Sequence, residues 1–415
     1  MPKCTQSAAV RKPAKPHPDF PLFAHAAGVW AKKVKQRLHY FGPWADPEGA
    51  LNRWLEQKDD LLAGRTPRPK TEGATLRDLA NRFLTAKKHL AETGEIALRT
   101  YTDYYTACQG VITILGKDRL LTDLGGDDFD HLRRCLAKTR GPVALGDSIN
   151  RVRMLFKFAY DSELITQPIR YGASFKRPSK KVIRIARGKA GPRMFEAAEL
   201  RAIIEAAPVP LRAMILLGIN CGSGNADCAT LPAKALDLPA GWVRFPRPKT
   251  GVDRRCPLWP ETVAAVKETI SSRPTPKNDK DACLAFITKY GQGWTGATSA
   301  RPISAEFRKL LQRPRCPKCG KIEAADAKRC SACKWKPTKA KGWGRLHRNG
   351  LGFYALRHTF ETIGGDSRDQ VAVDHIMGHS RNDMASVYRE RIDDARLVAV
   401  VQHVRKWLFG DMKQE

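Results

Sequence analysis

Acidic residues are in short supply. The chain carries 42 Asp and Glu against 73 Lys and Arg, a net charge of +31 over 415 residues. Such an excess repels itself in the compact state, and a polyanion relieves it. Nucleic acid is the partner this implies. An anionic membrane surface is the weaker alternative, because no long basic amphipathic helix is written in the pattern; a merely basic protein is the bland one. Long apolar runs are missing too. None approaches the roughly 20 residues of a membrane span, so no membrane partner is expected. The opening stretch "MPKCTQSAAVRKPAKPHPDF" has charge but no apolar centre, so no secretory signal is expected either. A cytoplasmic protein is expected, and with a nucleic-acid partner a nucleoid-associated one. There the 11 cysteines do not form a disulfide framework. Internal repeats are absent. What remains, 42% hydrophobic and 28% charged, suffices for two or three domains with their own cores.

The patterning predicts a mainly α protein with small β-sheets, in several domains. Residues 1–19 read as a basic disordered tail. Residues 20–70 read as a small sheet with a helix and a linker. Trp30, Lys32 and Val34 alternate there, as do Leu38 and Tyr40, and Asp46 with Pro47 makes a helix start. Basic residues lie among Trp30, Tyr40 and Trp44, which fits a DNA-reading sheet or a small core with solvated lysines. Residues 71–167 read as an all-α domain. Thr75 and Asp78 form a capping-box pair, and Leu76, Leu79, Ala80 and Phe83 follow at helical spacing. Further helices are expected over 99–115 and 147–164. Residues 168–193 hold nine Lys or Arg and no acid, the composition of a basic linker, solvated or laid along phosphates. The last domain spans 194–415, with a β-hairpin in "GWVRFPRPKTGVDRRCPLWP" and helices near 260–271, 304–312, 352–363, 369–377, 383–391 and 393–408. The last of these puts Leu397, Val400, Val401, Val404 and Leu408 in one stripe, which fits packing on its own domain or on a neighbouring protomer.

Four cysteines stand apart. "CPKCGKIEAADAKRCSACKW" holds Cys316, Cys319, Cys330 and Cys333, two CxxC turns ten residues apart. Zinc takes four thiolates tetrahedrally, and each CxxC turn delivers two of them. A structural zinc is therefore expected in an insertion over about 313–341, with no open position for catalysis. Residues 313–349 carry 12 Lys or Arg against two acids, so the stapled insertion would be a rigid basic finger.

The stretch "MGHSRNDMASVYRERI" places Tyr388 nine residues after His379. About 20 residues earlier, "LGFYALRHTFETIGG" sets Tyr354 and Arg357 three apart on one face, with Leu356 and Phe360 on the core side. An arginine so close to the interior needs an anion; Asp366 or Asp374 would be a structural one, a bound phosphate a functional one. The blocks "ALRHTFET" and "HIMGHS", followed by the tyrosine, resemble the C-terminal signature of the tyrosine recombinases, the phage-integrase family. The resemblance covers roughly residues 195–408, and the domain order before it is similar to that of integrases: an arm-type DNA-binding sheet, an all-α core-binding domain, then the catalytic domain.

That resemblance implies a chemistry. Tyr388 attacks a DNA phosphate and forms a 3′-phosphotyrosyl link. Arg357 and His379 hold non-bridging phosphate oxygens, and Lys249 on the hairpin protonates the leaving 5′-hydroxyl. No nucleotide or catalytic metal is needed; the partner is double-stranded DNA, bound by a homo-tetramer on paired sites. Two positions depart from the family. Tyr354 stands where the second box usually begins with His, and a phenol still donates a hydrogen bond. In "NCGSGNADCATL", Asp227 and Leu231 take the acid and leucine positions of the first box, but the arginine position falls on Gly224. Arg254, Arg255, a basic residue of the insertion, or the neutral donor Asn225 are the candidate substitutes. With that arginine gone, a degenerate recombinase fold that binds without cutting is the first alternative, and a type IB topoisomerase-like relaxing enzyme the second.

Overall fold

The computed structural model describes residues 12–64, 73–295, 302–338, 341–380, 384 and 388–410. Most of the basic tail and part of the first linker lie outside them, as do residues 383 and 385–387 of the helix expected over 383–391; the described residues 388–391 of that span are not helical. The chain divides at Arg177 and Pro178 into two compact units.

The first unit holds two separate cores. Strands β1 (Phe23–His25), β2 (Val29–Val34) and β3 (Arg37–Pro43) form an antiparallel sheet. Helix α1 (Pro47–Ala63) starts where Asp46 accepts a hydrogen bond from the Gly49 amide at 2.8 Å. Trp30, Val34, Phe41, Trp54 and Leu61 are buried between sheet and helix. Trp30 is thus core, and Trp44 is tied by its indole N–H to the Val29 carbonyl. Of the three aromatics named above, Tyr40 alone is exposed. The second core is helical: α2 (Leu76–Glu92), α3 (Leu98–Leu115), α4 (Gly126–Ala137) and α5 (Pro142–Asp161). The Thr75–Asp78 capping box is present in both directions. Helix α4 was not legible: in "GDDFDHLRRCLA" charge surrounds its three buried anchors, Phe129, Leu132 and Leu136.

The second unit opens with a difference from expectation. Inside the basic stretch read as a linker lies a helix, α6 (Lys180–Ala190), capped by Ser179 and burying none of its residues. Then come α7 (Ala197–Ala206), the almost wholly buried α8 (Val209–Asn220) and the short α9 (Asn225–Ala229). Strands β4 (Leu236–Asp237), β5 (Trp242–Arg244) and β6 (Arg255–Pro257) form the second antiparallel sheet, with the hairpin between β5 and β6. Asn220 fastens the hairpin base to α8: its amide donates to the Pro257 carbonyl at 3.0 Å and accepts from the Trp259 amide at 2.9 Å. Helices α10 (Pro260–Ser271), α11 (Asp279–Ala282), α12 (Pro302–Leu311), α13 (Ala355–Gly365), α14 (Gln370–Met377) and α15 (Asp394–Phe409) complete the unit. The α15 stripe is wholly buried in this core, so its apolar face is satisfied within its own chain. Among the described residues no helix is long and apolar enough to cross a membrane.

Candidate active site

Three turns of the second unit converge: the link from α8 to α9, the tip of the β5–β6 hairpin, and the end of α14. Arg357, in the first turn of α13, is 2% exposed and ties two of them together. Its Nη1 donates to the Gly222 carbonyl and its Nη2 to the Met377 carbonyl, both at 2.7 Å. Neither Asp366 nor Asp374 partners it. Backbone oxygens do, because the helix ends that meet here present free carbonyls. Burial pulls the Arg357 pKa down to about 10, and the nearby Arg247 pulls the same way, against Tyr354 and Asp227. It stays charged at neutral pH but wants an anion.

Helix α14 ends at Gly378, whose φ of +64° is the left-handed region. A β-carbon there would sit 2.9 Å from that of Arg247. The Gly378 carbonyl in turn accepts from Thr250 Oγ1 at 3.2 Å and, weakly, from Arg247 Nη1 at 3.4 Å. The hairpin tip is thereby pinned beside His379, with Lys249 exposed between Arg247 and Thr250. His379 Nδ1 lies 3.2 Å from Asp374 Oδ1 and 3.8 Å from Glu361; an Nδ1–H given to Asp374 leaves Nε2 for another partner. Gly378→Ala combines a positive φ with a steric clash, so a loss of about 1–3 kcal/mol is expected. Urea unfolding checks it, and an unchanged midpoint would contradict this packing.

The first-box region is wired differently from expectation. Asp227, 7% exposed, accepts from the Gly224 amide at 2.6 Å and from Arg254 Nη2 at 3.0 Å. Arg254 also gives its Nε–H to the Phe245 carbonyl at 2.8 Å. Arg255, turned the other way by strand alternation, pairs with Asp394 at 2.6 Å and stacks on Trp242. Asn225 is held by Ser304. Tyr354, at the start of α13, is 46% exposed beside Gly224. Arg247, 8% exposed, is the residue that sequence reading missed; nothing distinguishes it in a stretch dense with Arg and Lys. Tyr388 is 75% exposed, and among the described residues its hydroxyl has no hydrogen-bond partner. Among the described residues no hydrogen bond joins it to Arg357 or His379, whereas those two and the hairpin tip are tied together around the end of α14.

The four cysteines do meet. Their sulfurs lie within 4.8 Å of one another, with Cys316–Cys333 and Cys319–Cys330 both at 3.5 Å. A tetrahedron with metal–sulfur bonds of about 2.3 Å has edges of about 3.8 Å, so the donor set fits a metal ion. Burial alone would raise the Cys316 thiol, but amides of Cys319 and Lys318 outweigh it and bring it down to about 7. Each turn closes on a positive φ, Gly320 at +81° and Lys334 at +58°. Glu323 bridges the turns by accepting from the amide and hydroxyl of Ser331 at 2.8 and 3.0 Å.

No family model and no curated protein matches the chain. Solved structures do. A lambda integrase tetramer bound to a Holliday junction aligns over 91% of this chain and 98% of its own, at 16% identity and a TM-score of 0.52. A Tn1549 transposon integrase fragment in complex with transposon right-end DNA aligns over 80% and 100%, at 15% identity and a TM-score of 0.52. A lambda integrase dimer bound to a core site aligns over 92% and 98%, at 17% identity and 0.51. The chain has the tyrosine-recombinase fold. Within that recombinase fold, the converging turns, the hairpin and the stretch bearing Tyr388 lie in the region whose motifs resemble the family's.

Proposed function

We propose that the protein is a site-specific DNA recombinase of the integrase kind, acting through a 3′-phosphotyrosyl intermediate. The observation that carries this is the gathering of Arg357, Arg247, His379 and the Lys249 hairpin tip around the end of α14, with Tyr388 nine residues after His379. In the proposed step the Tyr388 phenol releases its proton to solvent, its oxygen bonds to phosphorus and the bond to the 5′ oxygen breaks, with Lys249 supplying that oxygen's proton. Arg357 and His379 Nε2 hold the non-bridging oxygens, and Tyr354 adds a neutral donor. The small N-terminal sheet reads arm-type sites, the helical domain of residues 71–167 and the basic 168–193 segment grip the core site, and residues 194–415 cut it, in a homo-tetramer on paired sites. The four cysteines hold a structural zinc, which orders the insertion and takes no part in the chemistry.

Gly224 favours a second reading, a degenerate recombinase fold that binds double-stranded DNA without cutting. Trapping on a nicked duplex that carries the element's own site separates the two: a covalent adduct supports the recombinase, and tight binding with no adduct supports the binder. Both readings expect steep salt dependence. Each neutralised phosphate adds about −0.9 to the slope of log K against log salt. The +31 charge leads us to expect a slope well beyond −5, as six or more phosphate contacts produce. A slope near zero in a filter-binding or anisotropy titration removes DNA as the main partner.

A further inference from the structure

We propose that Arg247 supplies the phosphate clamp missing at Gly224, an assignment that rests on the recombinase reading and deepens it. The vacancy is real in space. Gly224 has an ordinary φ of −91°, and a β-carbon on it would lie 3.1 Å from Asp227 Oδ2 and 3.4 Å from the Tyr354 ring, so a side chain fits once the Asp227 carboxylate gives by a few tenths of an ångström. A side chain there would enter the same site from the α9 side.

Three arginines stand near enough to replace it, and their partners sort them. Arg255 is committed to Asp394 and Trp242. Arg254 is 6% exposed, pairs with Asp227 and gives its Nε–H to the Phe245 carbonyl. Its remaining Nη1 is buried without a partner, beside a cavity of about 20 Å³ lined by Cys221, Ser223 and Cys228, room for one water and not for a phosphate. Arg254 therefore positions Asp227 and, through it, the start of α9. Arg247 differs. It is more than nine-tenths buried, yet the one hydrogen bond its side chain makes among the described residues is the long contact to the Gly378 carbonyl.

Arg247 and Arg357 are thus anchored to consecutive carbonyls, those of Gly378 and Met377, immediately before His379. Among the described residues neither has a carboxylate partner. Two guanidiniums this close repel each other, and Arg357 registers the repulsion. An anion between them relieves it, and the dianionic phosphorane of strand cleavage relieves it more than the ground-state phosphodiester does. That difference is what a catalytic clamp requires.

The test uses the full chain with two probes. Inorganic phosphate and orthovanadate are titrated while the unfolding midpoint is read, since a ligand that binds only the folded state raises it. Wild type and Arg255→Ala should bind vanadate alike, and Arg247→Gln should bind it about ten-fold or more weakly. Should Arg247→Gln not fold, Arg247→Lys keeps the charge, loses the fork, and should still weaken binding. Gly224→Arg placed on Arg247→Gln should restore it. Equal vanadate binding by wild type and the Arg247 variants overturns the clamp. Covalent trapping on nicked DNA is the second readout, where Arg247→Gln should slow adduct formation about 10²- to 10³-fold. Adducts forming equally fast in both overturn the clamp and leave the recombinase reading intact. Arg247-dependent vanadate binding with no adduct in wild type upholds Arg247 as a phosphate ligand but removes the recombinase reading, and with it the catalytic role of the clamp.

Discussion

Tyr388→Phe should abolish covalent attachment to DNA while leaving site binding and thermal stability unchanged. The substitution removes one oxygen. Tyr388 is 75% exposed and, among the described residues, its hydroxyl makes no hydrogen bond, so little stability should be lost. The chemistry loses everything, because a phenyl ring cannot bond to phosphorus. A phenol with a pKa of about 10 is a poor nucleophile at neutral pH, and it needs the cations around the end of α14 to stabilise the charge that develops. Arg357→Ala should therefore also cut adduct formation, but with a large loss of stability, since Arg357 fastens two turns through 2.7 Å bonds. Only the tyrosine variant separates chemistry from folding. Wild-type adduct yields in Tyr388→Phe would falsify the assignment of the nucleophile.

The second large effect is expected at the cysteines. Protein purified without added zinc should carry about one equivalent, and Cys316→Ser combined with Cys319→Ser should carry none. Apart from its sulfurs the insertion is held by short-range contacts, among them the Trp335–Trp343 edge, the buried Ile322, the Glu323–Ser331 link, the reciprocal Arg315–Gly344 backbone pair and the exposed Lys321–Glu205 ion pair. Structural zinc in small modules binds with an apparent free energy of about 10–16 kcal/mol, far more than those contacts provide. Hydrogen exchange should accordingly show residues 316–335 protected with metal and exchanging freely in the double variant or under chelator, while α8 and α13 stay protected. Zinc retained by the double variant would place the ligands elsewhere.

Legibility in the sequence followed the range of the interactions. The capping box at Thr75, the helix start at Asp46, the hairpin around Lys249 and the stripe on α15 are local patterns, and each stood out. The Tyr388, His379 and Arg357 spacing stood out as a motif. Helix α6 did not, since it buries nothing and so shows no apolar face against the core. Arg357 was expected to need an anion, an acid or a bound phosphate, because side chains are what a sequence displays; its partners within the chain are main-chain oxygens that any residue at 222 or 377 would offer. Arg247 was hidden for a related reason. Only the fold reveals which arginine of "RFPRPKTGVDRRC" turns inward, and strand alternation ordered just Arg254 and Arg255.

The dependence on carbonyls has an evolutionary side. Arg357 and Arg247 are aimed by the main chain at Gly222, Met377 and Gly378, and a main-chain acceptor survives replacement of its own side chain. Drift at position 377 among hydrophobic residues leaves the aim intact, whereas position 378 is confined by its φ. A site aimed this way tolerates wide divergence around a few invariant points. The fold is correspondingly shared with solved integrases whose sequences are only 15–17% identical.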